Sequence, residues 1–267
     1  MRRWAKTVLG RKAKKEASIS KLITRAPKFT VQYLLLVLWI IIVSATFILL
    51  GNVNEITSML CRSPNNPAGI ITCYFVHENW EHLLFNAFSY ILYAVFIQIL
   101  VRIPGNPLNI LSRRRNWYLL NLSLMIVLSI ADLIFNPLYR RGAHSCGMSD
   151  LTYAMSIGTL ASVYGVIPAA QTKDRKEKSS LAIGMLLLII GLSGFTVISI
   201  VDQYDALVKA GERVNIPAHL LGIAVAFFTF TILLYLNSKK HTTRILTPFM
   251  VNVLAILLSI HFLLGIK

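Results

Sequence analysis

The chain has 267 residues, of which 55% are hydrophobic and only 14% charged, with a mean hydropathy of +0.63, which excludes an ordinary soluble domain. A net charge of +16 would suit a nucleic-acid binder. However, the bases lie in the tail and short connecting segments and leave no separate soluble domain for that role, so nucleic acid is the weaker reading and is not expected as a partner.

In chain order, residues 1–30 come first as a basic tail, with ten Lys/Arg and Glu16 as its single acid. The tail also fits an organellar transit peptide, but a cytoplasmic tail is the preferred reading. No cleavable secretory signal is expected, because the first apolar run is a full span without a short apolar region and a small-residue cleavage site. Spans are predicted over 31–50, 83–101, 116–135, 149–167, 180–201, 217–236 and 245–266. Each is about 20 residues long, enough to cross roughly 30 Å of hydrocarbon at about 1.5 Å per residue. The fourth, SDLTYAMSIGTLASVYGVI, is too rich in Ser, Thr, Gly and Ala to face lipid and predicts a central, shielded helix. By contrast, LLLVLWIII in the first span and LLLII in the fifth suit the outer ring. No repeat or flexible linker interrupts the pattern, so one all-α polytopic membrane domain is expected.

The segments 1–30, 102–115, 168–179 and 237–244 hold 21 of the 27 bases and only Glu16, Asp174 and Glu177 as acids. This alternation follows the positive-inside rule. It predicts a cytoplasmic N-terminus, an odd number of spans and an outward C-terminus, with anionic lipid as a possible contact for the basic loops. Cys61 and Cys73 fall in the first outer loop, where they form a disulfide with each other or stand as two unpaired small apolar residues. Cys146, three residues before Ser149, is a candidate nucleophile by proximity alone.

The predicted topology gathers three polar clusters at one depth on the outer side. His82 precedes the second span with Asn86 one turn in, Ser149 opens the fourth, and His219 lies one turn into the sixth. Taken singly, Ser149 or Asn86 reads as a helix cap. Together, ionisable and hydroxyl groups at the same depth in hydrocarbon point to chemistry. Helical phase puts His82 with Asn86 on one face and Ser149 over Tyr153 on another. His219, Gly222 and Ala226 form a third stripe, and Ala154, Gly158 and Ser162 continue the small face of the fourth span. Close packing of the fourth and sixth spans is therefore expected to bring Ser149 to His219.

These residues resemble the rhomboid intramembrane serine proteases over roughly 31–236. HENWEHLLFN, from His77 to Asn86, is similar to the family's H-x4-H-L-x2-N stretch. GMSDLTYA, from Gly147 to Ala154, is similar to its GxSG sequence followed by Tyr, and AHLLGIAVA from Ala218 to its AHxxG motif. The resemblance implies a six-helix core over 31–236, with a cytoplasmic loop and seventh helix in 237–267. It also implies Ser149 as nucleophile, His219 as general base, and His82, Asn86 and the Ser149 backbone N–H as oxyanion donors. Gly147, Tyr153 and Gly222 would support the site, with Tyr153 stacked on the His219 ring. The implied partners are transmembrane protein substrates and the bilayer, in a multi-pass protein of the plasma membrane, with no cofactor.

Asp150 departs from the pattern, standing where the family has the second Gly of GxSG. A carboxylate there is tolerated by the helix dipole, yet it either crowds Ser149 or raises the basicity of His219. The Trp-Arg pair of many bacterial members is missing from the first outer loop. The spacing in HENWEH is one residue too long for HExxH zinc ligation, and the seventh span has no Lys for retinal. Asp132 reads as a snorkelling or helix-pairing carboxylate, and His261 as interfacial or as a helix contact. The competing reading is a non-catalytic relative that binds transmembrane helices as a chaperone, adaptor or degradation factor.

Overall fold

Backbone N–H and C=O groups inside hydrocarbon must be satisfied within the protein, which leaves helices as the spanning element for this pattern. The computed structural model describes residues 38, 41, 42, 45, 59–61, 66, 69–77, 80–139, 148–170, 175–209, 216–238 and 242–263. The chain divides into two units, Met1–Ile40 and Ile41–Lys267. In the first unit the described residue is Leu38, which is helical and exposed. The predicted basic tail and most of the predicted first span lie outside the described residues.

The second unit contains α1 (Gly69–Thr72), η1 (Cys73–Phe75), α2 (Trp80–Leu100), η2 (Pro107–Ser112) and α3 (Arg114–Tyr139). These are followed by α4 (Ser149–Ala170), α5 (Arg175–Lys209), α6 (Ile216–Ser238) and α7 (Thr242–Leu263). The protein is all-α and integral to the membrane with several passes: α2, α3, α5, α6 and α7 are each long and apolar enough to cross. The helices α2 to α7 coincide with the second to seventh predicted spans, and the main difference is at α5. That helix has 35 residues, about 52 Å at 1.5 Å per residue, and outruns the predicted 180–201. Its flanks, RKEK and DQYDALVK, contain good helix formers that carry the helix past the apolar run.

The centre of the bundle is α4, whose residues from Ser149 to Val166 are all buried. It packs most extensively against α6 and α2, and also touches α3, α5 and α7. Small residues permit this. A Cβ on Gly158 would stand 2.5 Å from the Phe230 ring of α6 and 3.2 Å from Ile97 of α2. The outer helices turn apolar side chains outward, with Phe88, Leu187, Phe228 and Val251 all more than 60% exposed. Such faces would destabilise a soluble protein and are what acyl chains solvate.

The α2–α3 connection is fixed to the far half of α4 by one amide. Asn106 Nδ2 donates to the carbonyls of Leu100 (2.9 Å) and Ser162 (3.0 Å), while its Oδ1 accepts from Leu108 N–H, capping η2 ahead of Pro107. Gly105, at φ 87°, supplies the left-handed turn that presents Asn106. Gly165 leaves room for it, since a Cβ there would lie 2.5 Å from Asn106 Oδ1.

The segment before α2 docks on α3. Tyr74 donates to the Met125 carbonyl at 2.8 Å, and Ser129 to the Ile70 carbonyl at 2.7 Å. Two expectations change here. Cys61 is disulfide-bonded while Cys73 keeps a buried thiol directed to the Ile70 carbonyl at 3.9 Å, so these two neither pair with each other nor both remain thiols. Asp132 is fully buried, which rules out snorkelling and leaves helix pairing.

Candidate active site

The first turns of α4 and α6 meet closely. Ser149, the first residue of α4, and His219, in the first turn of α6, are both buried, with Ser149 Oγ 3.0 Å from His219 Nε2. The approach depends on Gly222, one turn after His219. A Cβ there would run into the Asp150 carbonyl oxygen and lie 3.2 Å from Asp150 Cα. Ala226, two turns on, is fully buried and continues this small face. The two helices are thus close because one of them lacks a side chain at the crossing.

Tyr153 lies one turn below Ser149, its ring centroid 4.8 Å from that of His219 with a 43° tilt, so the rings are inclined and not stacked in parallel. Its hydroxyl lies 3.3 Å from Ser199 Oγ of α5. Sequence reasoning missed Ser199. The available signal was the run Ser193, Thr196 and Ser199, three hydroxyls at intervals of three in an otherwise apolar span.

Helix α2 brings Asn86 to the same end of the bundle. Asn86 is 1% exposed, and neither polar atom of its amide has a hydrogen-bond partner among the described residues. Thr152, in the first turn of α4, directs its hydroxyl mainly to the Met148 carbonyl at 3.0 Å, with the Asn86 carbonyl at 3.5 Å. One turn earlier, His82 is half-buried, and its ring meets that of His77 edge-on at 5.3 Å. Burial, and then the neighbouring charge of His82, hold His77 down at about 3, against the opposing pull of a hydrogen bond with the Phe75 backbone. His77 is therefore a neutral ring at any physiological pH.

Asp150 is buried, its Oδ1 accepting from the Leu151 N–H at 2.8 Å at the positive end of α4. Gly147 and Cys146 lie outside the described residues. His261 is exposed, its ring 5.8 Å from that of Phe262. The predicted Ser149, His219, Tyr153 and Gly222 are thus in one contact network, with Asn86 beside it and His82 one turn beyond. A hydroxyl facing an imidazole nitrogen in a water-poor site can lose its proton to that nitrogen.

A family model described as the Rhomboid domain matches residues 64–236, which include every residue of this site. No curated protein and no solved structure matches the chain.

Proposed function

Because the chain belongs to the rhomboid family, we propose that it is an intramembrane serine endopeptidase that cuts other membrane proteins in or next to their transmembrane helices. The observation that carries this reading is the 3.0 Å contact between Ser149 Oγ and His219 Nε2. Neutral His219 takes the Ser149 proton as the hydroxyl attacks the scissile carbonyl, then gives it to the departing amine. Water attacks the resulting acyl-enzyme by the same path, His219 again receiving and returning the proton. The tilted Tyr153 ring orients the imidazole in place of a carboxylate. The Asn86 amide, His82 and the Ser149 backbone N–H donate to the oxyanion, and in a low-dielectric site the loss of one such donor costs about 10²- to 10³-fold in rate.

The alternating basic segments support a cytoplasmic N-terminus in a plasma-membrane protein, with the site near the outer face. The disulfide at Cys61 supports the same orientation, since it belongs to an oxidising compartment and lies in the segment between the first predicted span and α2.

One observation favours the reading as a transmembrane-helix binder without hydrolysis. Asp150 places a buried carboxylate one residue from Ser149, where negative charge opposes an oxyanion. The deciding experiment uses purified protein in liposomes with a fluorogenic transmembrane substrate and a fluorophosphonate probe. Cleavage and labelling by wild type, both abolished by Ser149→Ala and by His219→Ala, are expected. An intact substrate panel and no label on wild type, with activity appearing in Asp150→Gly, would sink the protease reading for the natural chain.

A further inference from the structure

The hydroxyls of α5 reach three different helices. Ser193 exchanges hydrogen bonds with the Asn252 amide of α7, donating to Oδ1 at 3.3 Å and accepting from Nδ2 at 3.1 Å. Thr196 faces the Tyr93 hydroxyl of α2. Ser199 meets Tyr153 of α4. Asn252 also faces the Tyr164 hydroxyl of α4, and α7 packs on the same central helix.

The direction of the last α5 contact follows from proton counting. A serine has a single O–H to donate, and Ser199 directs it to the Thr196 carbonyl at 3.3 Å. Tyr153 is therefore the donor and Ser199 the acceptor. A buried phenol of this kind loses stability when its O–H has no partner. Tyr153 is fixed on α4 at one end by its backbone and at the other by Ser199, and its ring lies between them against His219. Helix α5 packs against α4 and α7, with a lesser contact to α6. The position of Ser199 thus depends in part on α7.

We infer that Ser199 is a positioning residue for the dyad: by accepting the Tyr153 hydrogen bond it fixes the ring that orients His219, and the Asn252–Ser193 contact makes the seventh helix part of that support. The inference rests on reading Ser149 and His219 as the catalytic pair. It assigns α7, which lies outside the matched domain, a role in the rate of hydrolysis.

The test compares Ser199→Ala, Ser199→Thr and Asn252→Leu with wild type for cleavage kinetics and fluorophosphonate labelling rate in liposomes, and adds a double-mutant cycle of Ser199→Ala with Tyr153→Phe. Loss of one neutral hydrogen bond predicts roughly a three- to tenfold fall in kcat and labelling for Ser199→Ala, with KM little changed. Ser199→Thr should restore the rate, Asn252→Leu should show a smaller fall, and Ser199→Ala should add nothing once Tyr153 has lost its hydroxyl. A wild-type rate in Ser199→Ala, or full additivity in the cycle, overturns the inference while leaving the protease reading intact. If wild type itself neither cleaves nor labels, the protease reading fails, and fluorine NMR of 3-fluorotyrosine at position 153 decides the inference. A resonance displaced by Ser199→Ala and Asn252→Leu but not by Ser199→Thr supports it, and an unmoved resonance overturns it.

Discussion

In the proposed mechanism, Asn86 is a side chain held ready at a cost to stability. An amide this deeply buried with no hydrogen-bond partner among the described residues forfeits about 1–3 kcal/mol, which a transient oxyanion would return and the resting fold cannot. Asn86→Leu, similar in shape and apolar, is therefore expected to match or exceed wild-type thermal stability in detergent while kcat drops about 10²- to 10³-fold. A variant that melts early but cleaves normally would argue for a structural role instead. His77 makes the opposite trade. Its proton is taken up near the ordinary 6.5 in the unfolded chain but only near 3 in the fold. Between those values the unfolded state binds more protons, so stability falls as pH drops from about 6.5 towards 3, by up to about 1.4 kcal/mol per pH unit, with no further loss below. Melting curves across that range should show the slope in wild type and a flatter one in His77→Gln. An unchanged slope would place the acid sensitivity elsewhere.

At the scale of helices, Gly222 sets the distance on which the Ser149–His219 contact depends. Gly222→Ala must displace either α6 or the Asp150 carbonyl, and neither is the end of a flexible side chain. Fluorophosphonate labelling should fall at least about 100-fold, as expected when a reacting group is misplaced by about 1 Å. Normal labelling in that variant would show that the crossing is looser than the structure implies. This crossing was legible in the sequence, because His219, Gly222 and Ala226 repeat at helical spacing and Gly158 recurs on the opposing helix. The central place of α4 was legible too, since its hydroxyls and small residues would be poor partners for lipid. Helix α5 was not. Its Leu and Ile residues identify a lipid-facing helix, but the rotation that turns Ser193, Thr196 and Ser199 inward is fixed by Asn252, Tyr93 and Tyr153 on three other helices. Hydropathy also cannot see a helix that continues into polar sequence, which is why the full length of α5 was missed.

For the molecule as a whole, the Cys61 disulfide is a covalent constraint, while Cys73 keeps its thiol. Peptide mapping without reduction should recover Cys61 in a cross-linked peptide and Cys73 alkylated. Recovery of Cys73 in the cross-link would contradict this. Removing such a bond is expected to cost roughly 2–5 kcal/mol. The unbroken burial of α4 from Ser149 to Val166 has a consequence for how the gene can vary. A saturation library selected for folded protein should show periodic tolerance along α3, α5 and α7, where every third or fourth codon meets lipid. Across α4 it should show one continuous intolerant block, so this helix has almost no neutral positions through which the sequence can drift.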